Sequence, residues 1–178
     1  GTETDPQAYE RELQLVSRSA LSKPESVKHF STLFNLIDQN NIEKTDAIRA
    51  RMFEYATLTG AFDVANAQLA KLSADPTFNQ IDKEYLKRYF RTCLAADSYD
   101  GIAYLVNYCE SHGVDVSDMD VNRFRETLDS YVNADFNVSK IMVFAKFYVY
   151  QNKCKLSKAL RAGLVTDFDS EQGKHLMS

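Results

Sequence analysis

At 178 residues, with 44% hydrophobic and 26% charged residues but only six Gly and three Pro, the chain has the balance of a helical globular domain rather than a disordered or turn-rich β protein. Its formal charge of −4 supplies no global basic field for non-specific grip on DNA or anionic lipid. Three widely spaced cysteines, Cys93, Cys109 and Cys154, form no C-x-x-C pair, which speaks against a disulfide framework or thiolate zinc site and for a reducing, intracellular compartment.

Gly1 to Asp5, with no initiator methionine and no charged or apolar leader, read as a tag remnant and flexible start of an excised fragment. Asp5-Pro6 then suits a helix start, since Asp accepts from free N–H groups and Pro at the first helical position loses no bond. Tyr9, Leu13, Val16 and Ala20 follow at helical spacing, and Pro24 opens a second helix with Val27, Phe30, Leu33, Phe34 and Ile37 on one face. A third helix, capped by Asp46, carries Ile48, Met52, Tyr55, Ala56 and Thr59 and ends at Gly60. A fourth runs from about Phe62 to Leu72, before Pro76. Asp82 opens a fifth, with Tyr85, Leu86, Tyr89, Phe90, Cys93 and Leu94 on a wide apolar face.

The sixth helix, Tyr99 to Cys109, stops at Gly113. Asp118 or Asp120 caps a seventh with Val121, Phe124, Leu128, Tyr131 and Val132 inward, and Asn133-Ala134-Asp135 makes the turn. The eighth, about Val138 to Asn152, is apolar nearly all round, as suits a helix covered on several sides or one that meets a partner. Its longest apolar stretch, Ile141 to Tyr150, is interrupted by Lys146 and falls short of the ~20 residues of a membrane span, so a soluble chain is expected. Residues 154–178 read as a short C-terminal helix and tail.

The starts at Asp46, Asp82 and Asp118 lie 36 residues apart, and Phe62, Tyr99 and Phe136 recur every 37. Such periods mark helical-hairpin solenoids, because one hairpin cannot bury its apolar faces alone. The expected fold is therefore all-α: eight to nine helices in stacked antiparallel hairpins at about 6–39, 44–73, 80–113 and 118–153, one domain over 6–153. An irregular helix bundle is the competing arrangement.

Thr59-Gly60-Ala61-Phe62-Asp63-Val64-Ala65 resembles the inter-helix turn of tetratricopeptide and pentatricopeptide repeats, where Gly, an aromatic or Leu, Asp and a small Ala stand in that order. Tyr85 to Asp118, with Ser98-Tyr99-Asp100 in the turn and Ser111-His112-Gly113-Val114 at the exit, looks more like a pentatricopeptide repeat. The resemblance covers roughly residues 44–153. The pentatricopeptide side implies a fragment of an organellar, mitochondrial RNA-processing, RNA-stability or translation factor that binds single-stranded RNA. The tetratricopeptide side implies a protein-interaction adaptor or assembly subunit.

No Gly-rich phosphate loop or H-E-x-x-H pair occurs, and His29, His112 and His175 stand far apart. Cys93 and Cys109 read as small core hydrophobes, and Asp118 with Asp120 as helix-start carboxylates. Asn137 to Ser139 is a sequon that chance also produces. No catalytic residue, cofactor, metal or small-molecule substrate is expected. In such solenoids the first helix of each hairpin lines the concave face, which here offers Arg49 and Arg51; Lys83, Lys87, Arg88 and Arg91; then Arg123 and Arg125. Arg51, Arg88 and Arg125 recur every 37 residues, a spacing that would align guanidinium groups for phosphates, although the same residues also suit an ordinary solvated face. By the pentatricopeptide resemblance, Lys87 and Ser117 are the nearest candidates for base contacts. For a protein ligand, the candidate interface is the aromatic set Phe144, Phe147, Tyr148 and Tyr150 of the eighth helix.

Overall fold

A computed structural model describes residues 4–78, 81–120, 122–133 and 137–163, and within 122–133 the side chains of Arg123, Phe124, Thr127, Tyr131, Val132 and Asn133 lie outside it. The described residues form eight α-helices and no strand: α1 (Pro6–Arg18), α2 (Lys23–Gln39), α3 (Asp46–Thr59), α4 (Phe62–Ser73), α5 (Lys83–Ala95), α6 (Tyr99–His112), α7 (Asn122–Asn133) and α8 (Val138–Arg161). The fold is all-α. The expectations placed on Val121, on Ala134 to Phe136 and on the tail past Gly163 lie outside the described residues, as do the inward roles given to Phe124, Tyr131 and Val132.

Local chemistry accounts for the helix ends. Asp5 accepts from the Gln7 N–H at 3.0 Å with Pro6 as first helical residue, and Ser22 caps α2 at Glu25. Thr45 rather than Asp46 caps α3, its hydroxyl accepting from the Ile48 N–H; Asp46 becomes the first helical residue, where its charge still complements the helix dipole. Asp82 and Asp120 accept from the N–H groups of Glu84 and Asn122, each at 2.9 Å. Gly60 and Gly113 close α3 and α6 at φ 72° and 64°, a left-handed conformation that an L side chain resists.

The chain divides into two compact units, residues 1–92 and 93–178. In the first, α1 packs on α2 and α3, α2 on α3, and α3 on α4. Tyr9, Leu13, Phe30, Ile37, Ile42, Ile48 and Leu58 make one buried cluster. The rings of Phe30, Phe34 and Tyr55 lie 5.5–6.1 Å apart, and Tyr89 of α5 meets Phe53 edge-on at 5.2 Å and Phe62 at 6.1 Å. In α1 the inward face is Tyr9, Leu13 and Ser17; Ala20, expected on it, is exposed beyond the helix end.

In the second unit α8 packs on α6 and on α7. Tyr150 donates its hydroxyl hydrogen to the carbonyls of Cys109 (3.0 Å) and Val114 (2.6 Å), and buried Gln151 donates to those of Val116 and Met119, both at 3.1 Å. These bonds fasten α8 to the last turn of α6 and to the segment that follows it. α8 also runs past Asn152 to Arg161, where the sequence suggested a break and a separate short helix. No Gly or Pro interrupts it before Gly163 (φ 73°), and Leu156 and Ala159 are buried.

Candidate ligand-binding surfaces

In the first unit, the end of α1, the start of α2 and the first turns of α5 surround a polar cleft of about 240 Å³. Lys23, Arg88 and Arg91 line it with the hydroxyls of Ser17, Ser19, Ser26 and Tyr85, opposed by Asp82 and Glu84. Arg88 and Arg91 are exposed, so cations and hydroxyls converge on a space large enough for a phosphate group. Glu84 also holds Lys87 at 3.5 Å.

Beneath this cleft lies a buried polar cluster. Ser17 donates its hydroxyl hydrogen to a carboxylate oxygen of Glu54, and the Arg51 guanidinium stands 3.1 Å from the other. Arg51 is only 3% exposed and Glu54 wholly buried. Burial pushes the Glu54 carboxyl up to about 7, and the Asp82 charge adds to that; Arg51, the Ser17 hydroxyl and the Asp82 N–H pull the other way.

Arg51 therefore does not lie on a solvent-facing stripe with Arg88. Its charge is taken up inside the protein, because α3 is enclosed by α1, α2 and α4 and a buried cation requires a counter-charge. Arg49 is half-buried and donates to Gln68 at 3.3 Å. Arg51 is thus not presented as the 37-residue spacing implied, and Arg49, the other arginine of α3, is only partly open to solvent.

In the second unit, Arg125 is exposed and its guanidinium donates to the Tyr148 hydroxyl while lying 5.7 Å from that ring's centre. The side chain of Arg123 lies outside the described residues. Ser117 belongs to a partly exposed cluster: its N–H donates to Asp115 at 2.9 Å and its hydroxyl accepts from Lys158 at 3.0 Å, with Lys158 3.1 Å from Asp115. Burial raises the Asp115 carboxyl, but the Ser117 and Lys158 bonds outweigh it and hold it down at about 2.

Of the aromatic set on α8, the two phenylalanines face inward, whereas Tyr148 and Tyr150 are half-buried. Phe144 and Phe147 are each 1% exposed, and the Tyr150 hydroxyl is spent on the two carbonyls already named. The outward apolar residues are Val138, Met142 and Val149, at 59%, 65% and 52% exposed. Helical geometry explains the exchange, since positions 144, 147 and 151 share one face and 138, 142, 145 and 149 another. That second set steps by four, three and four, a regularity present in the sequence but carried by side chains smaller than the aromatic ones. Met142, Val143 and Val149 line an open apolar groove of about 530 Å³ with Glu110, Lys146, Tyr150 and Lys153 around it.

Among the described residues no group of His, Cys, Asp and Glu is placed to hold a metal ion, and no helix is long and apolar enough to cross a membrane. Compared with known proteins, the chain matches no family model, no curated protein and no solved structure.

Proposed function

We propose that this chain is a non-catalytic binding module of stacked helical hairpins, and that it docks another protein through α8. The stacking is supported by contacts of α1 with both α2 and α3 in the first unit and of α6 with α8, the next helix but one, in the second, together with the 36–37-residue period. The observation that carries the protein-binding reading is the exposed apolar seam of α8. Monomeric surfaces scatter single apolar residues, whereas a contiguous apolar groove marks a contact site.

A second reading, RNA binding as in an RNA-processing, RNA-stability or translation factor, is favoured by Lys23, Arg88 and Arg91 around the polar cleft. Filter binding to single-stranded RNA at two salt concentrations separates the two. Negligible binding at low salt supports protein docking. Tight, salt-sensitive binding that the combined Lys23→Glu, Arg88→Glu and Arg91→Glu variant loses shifts the function to RNA.

A further inference from the structure

The outward face of α8 joins two features that occur together nowhere else among the described helices. Val138, Met142, Ala145 and Val149 follow the four-three-four spacing by which one helix receives another, knob into hole. They span about three helical turns, roughly 17 Å at 1.5 Å per residue. All four are exposed, and the groove beside them gives an incoming side chain depth.

The second feature is charge. α8 carries Lys140, Lys146, Lys153, Lys155, Lys158 and Arg161 and no Asp or Glu, in a chain whose total is −4. Lys140 and Lys158 meet Asp97 and Asp115, and Lys146 meets a neutral amide, Asn107. Lys146 and Lys153 stand seven residues apart on the same flank of the seam and both border the groove. In paired helices, that flank is where charge selects the partner.

We infer that this face receives an amphipathic helix of another protein, with an apolar seam and carboxylates about seven residues apart on the flank facing Lys146 and Lys153. This rests on the protein-docking reading and adds the partner's chemistry. A second copy paired antiparallel is the wrong occupant, because it sets the Lys146 and Lys153 flank of one α8 against the same flank of the other. An anionic lipid surface fits less well, since the groove is concave and Glu110 stands on its border.

The test uses the full chain and three synthetic helical peptides of 21 residues or so, all with Leu along the seam and with Glu, Gln or Lys on the flanks, followed by fluorescence anisotropy at low and high salt. The Glu peptide is expected to bind about fivefold tighter than the Gln peptide, as two exposed ion pairs provide, with that advantage fading at high salt. Met142→Asp with Val149→Asp should abolish binding with an unchanged circular dichroism spectrum, and Lys146→Glu with Lys153→Glu should reverse the preference toward the Lys peptide. Equal binding of all three peptides, lost in the seam variant, overturns the acidic partner and leaves protein docking standing. Failure of every peptide to bind overturns both, and binding to phosphatidylserine vesicles without peptide binding assigns the face to a membrane.

Discussion

Ser17 of α1 donates its hydroxyl hydrogen to Glu54 of α3, joining two helices through an acid that no solvent reaches. Glu54 has its carboxyl raised by burial from the 4.5 of a free side chain to about 7. Between those values the folded chain holds a proton that the unfolded chain releases, so stability falls as pH rises through the window. A shift of this size corresponds to something on the order of 3 kcal/mol. Urea unfolding of the first unit's signal should show higher stability at pH 5 than at pH 8. Glu54→Gln, which imitates the protonated acid and keeps an acceptor for Ser17, should flatten the dependence. A slope unchanged in that variant would place the titration elsewhere, for example on Asp46, whose carboxyl burial and Asp75 also raise.

The helix order and most ends were legible because they depend on short-range chemistry: Asp5 before Pro6, Gly60 and Gly113 where the backbone turns left-handed, Asp82 two residues ahead of a free N–H. The binding residues were less legible because they depend on which face of each helix is covered. Arg51 looked like surface charge when α3 was given one apolar stripe. Yet Ala50, Phe53 and Leu58 lie off that stripe and are buried too, and a glutamate three residues on supplies the counter-charge that enclosure demands. Ser17 carries no such signal, since a hydroxyl on an inward face is invisible to hydrophobic periodicity.

The two faces of α8 predict opposite responses to truncation. Phe144→Ala removes a ring that is 1% exposed and should cost about 3–5 kcal/mol, as buried Phe truncations do. Met142→Ala, at 65% exposed, should stay within about 0.5 kcal/mol. Chemical denaturation of both variants would check the assignment, and comparable losses would mean that the Met142 face is packed in solution.

Gly60 and Gly113 allow a test of turn chemistry without packing. Both have positive φ, and a Cβ built on either meets nothing within 4 Å. Gly60→Ala or Gly113→Ala should therefore cost only the backbone term, about 1–2 kcal/mol, and Asn in either place should cost less because it tolerates the left-handed region. Thermal melts of the Ala and Asn pair at one position would read this directly, and equal losses would point to a cause other than φ.

Ala65 tests the hairpin itself. It lies in the first turn of α4, fully buried, one turn past the left-handed Gly60 that sends the chain back along α3, the helix on which α4 packs. A side chain limited to one methyl group sets how closely two helices can approach, so Ala65→Leu must push them apart or force strained rotamers. The expected cost is about 1–3 kcal/mol. Ala67, on the exposed side of the same helix, is the control: Ala67→Leu adds the same atoms facing water and should change stability by no more than about 0.5 kcal/mol. Parallel urea titrations in which both substitutions prove harmless would show that α3 and α4 do not meet closely at this point.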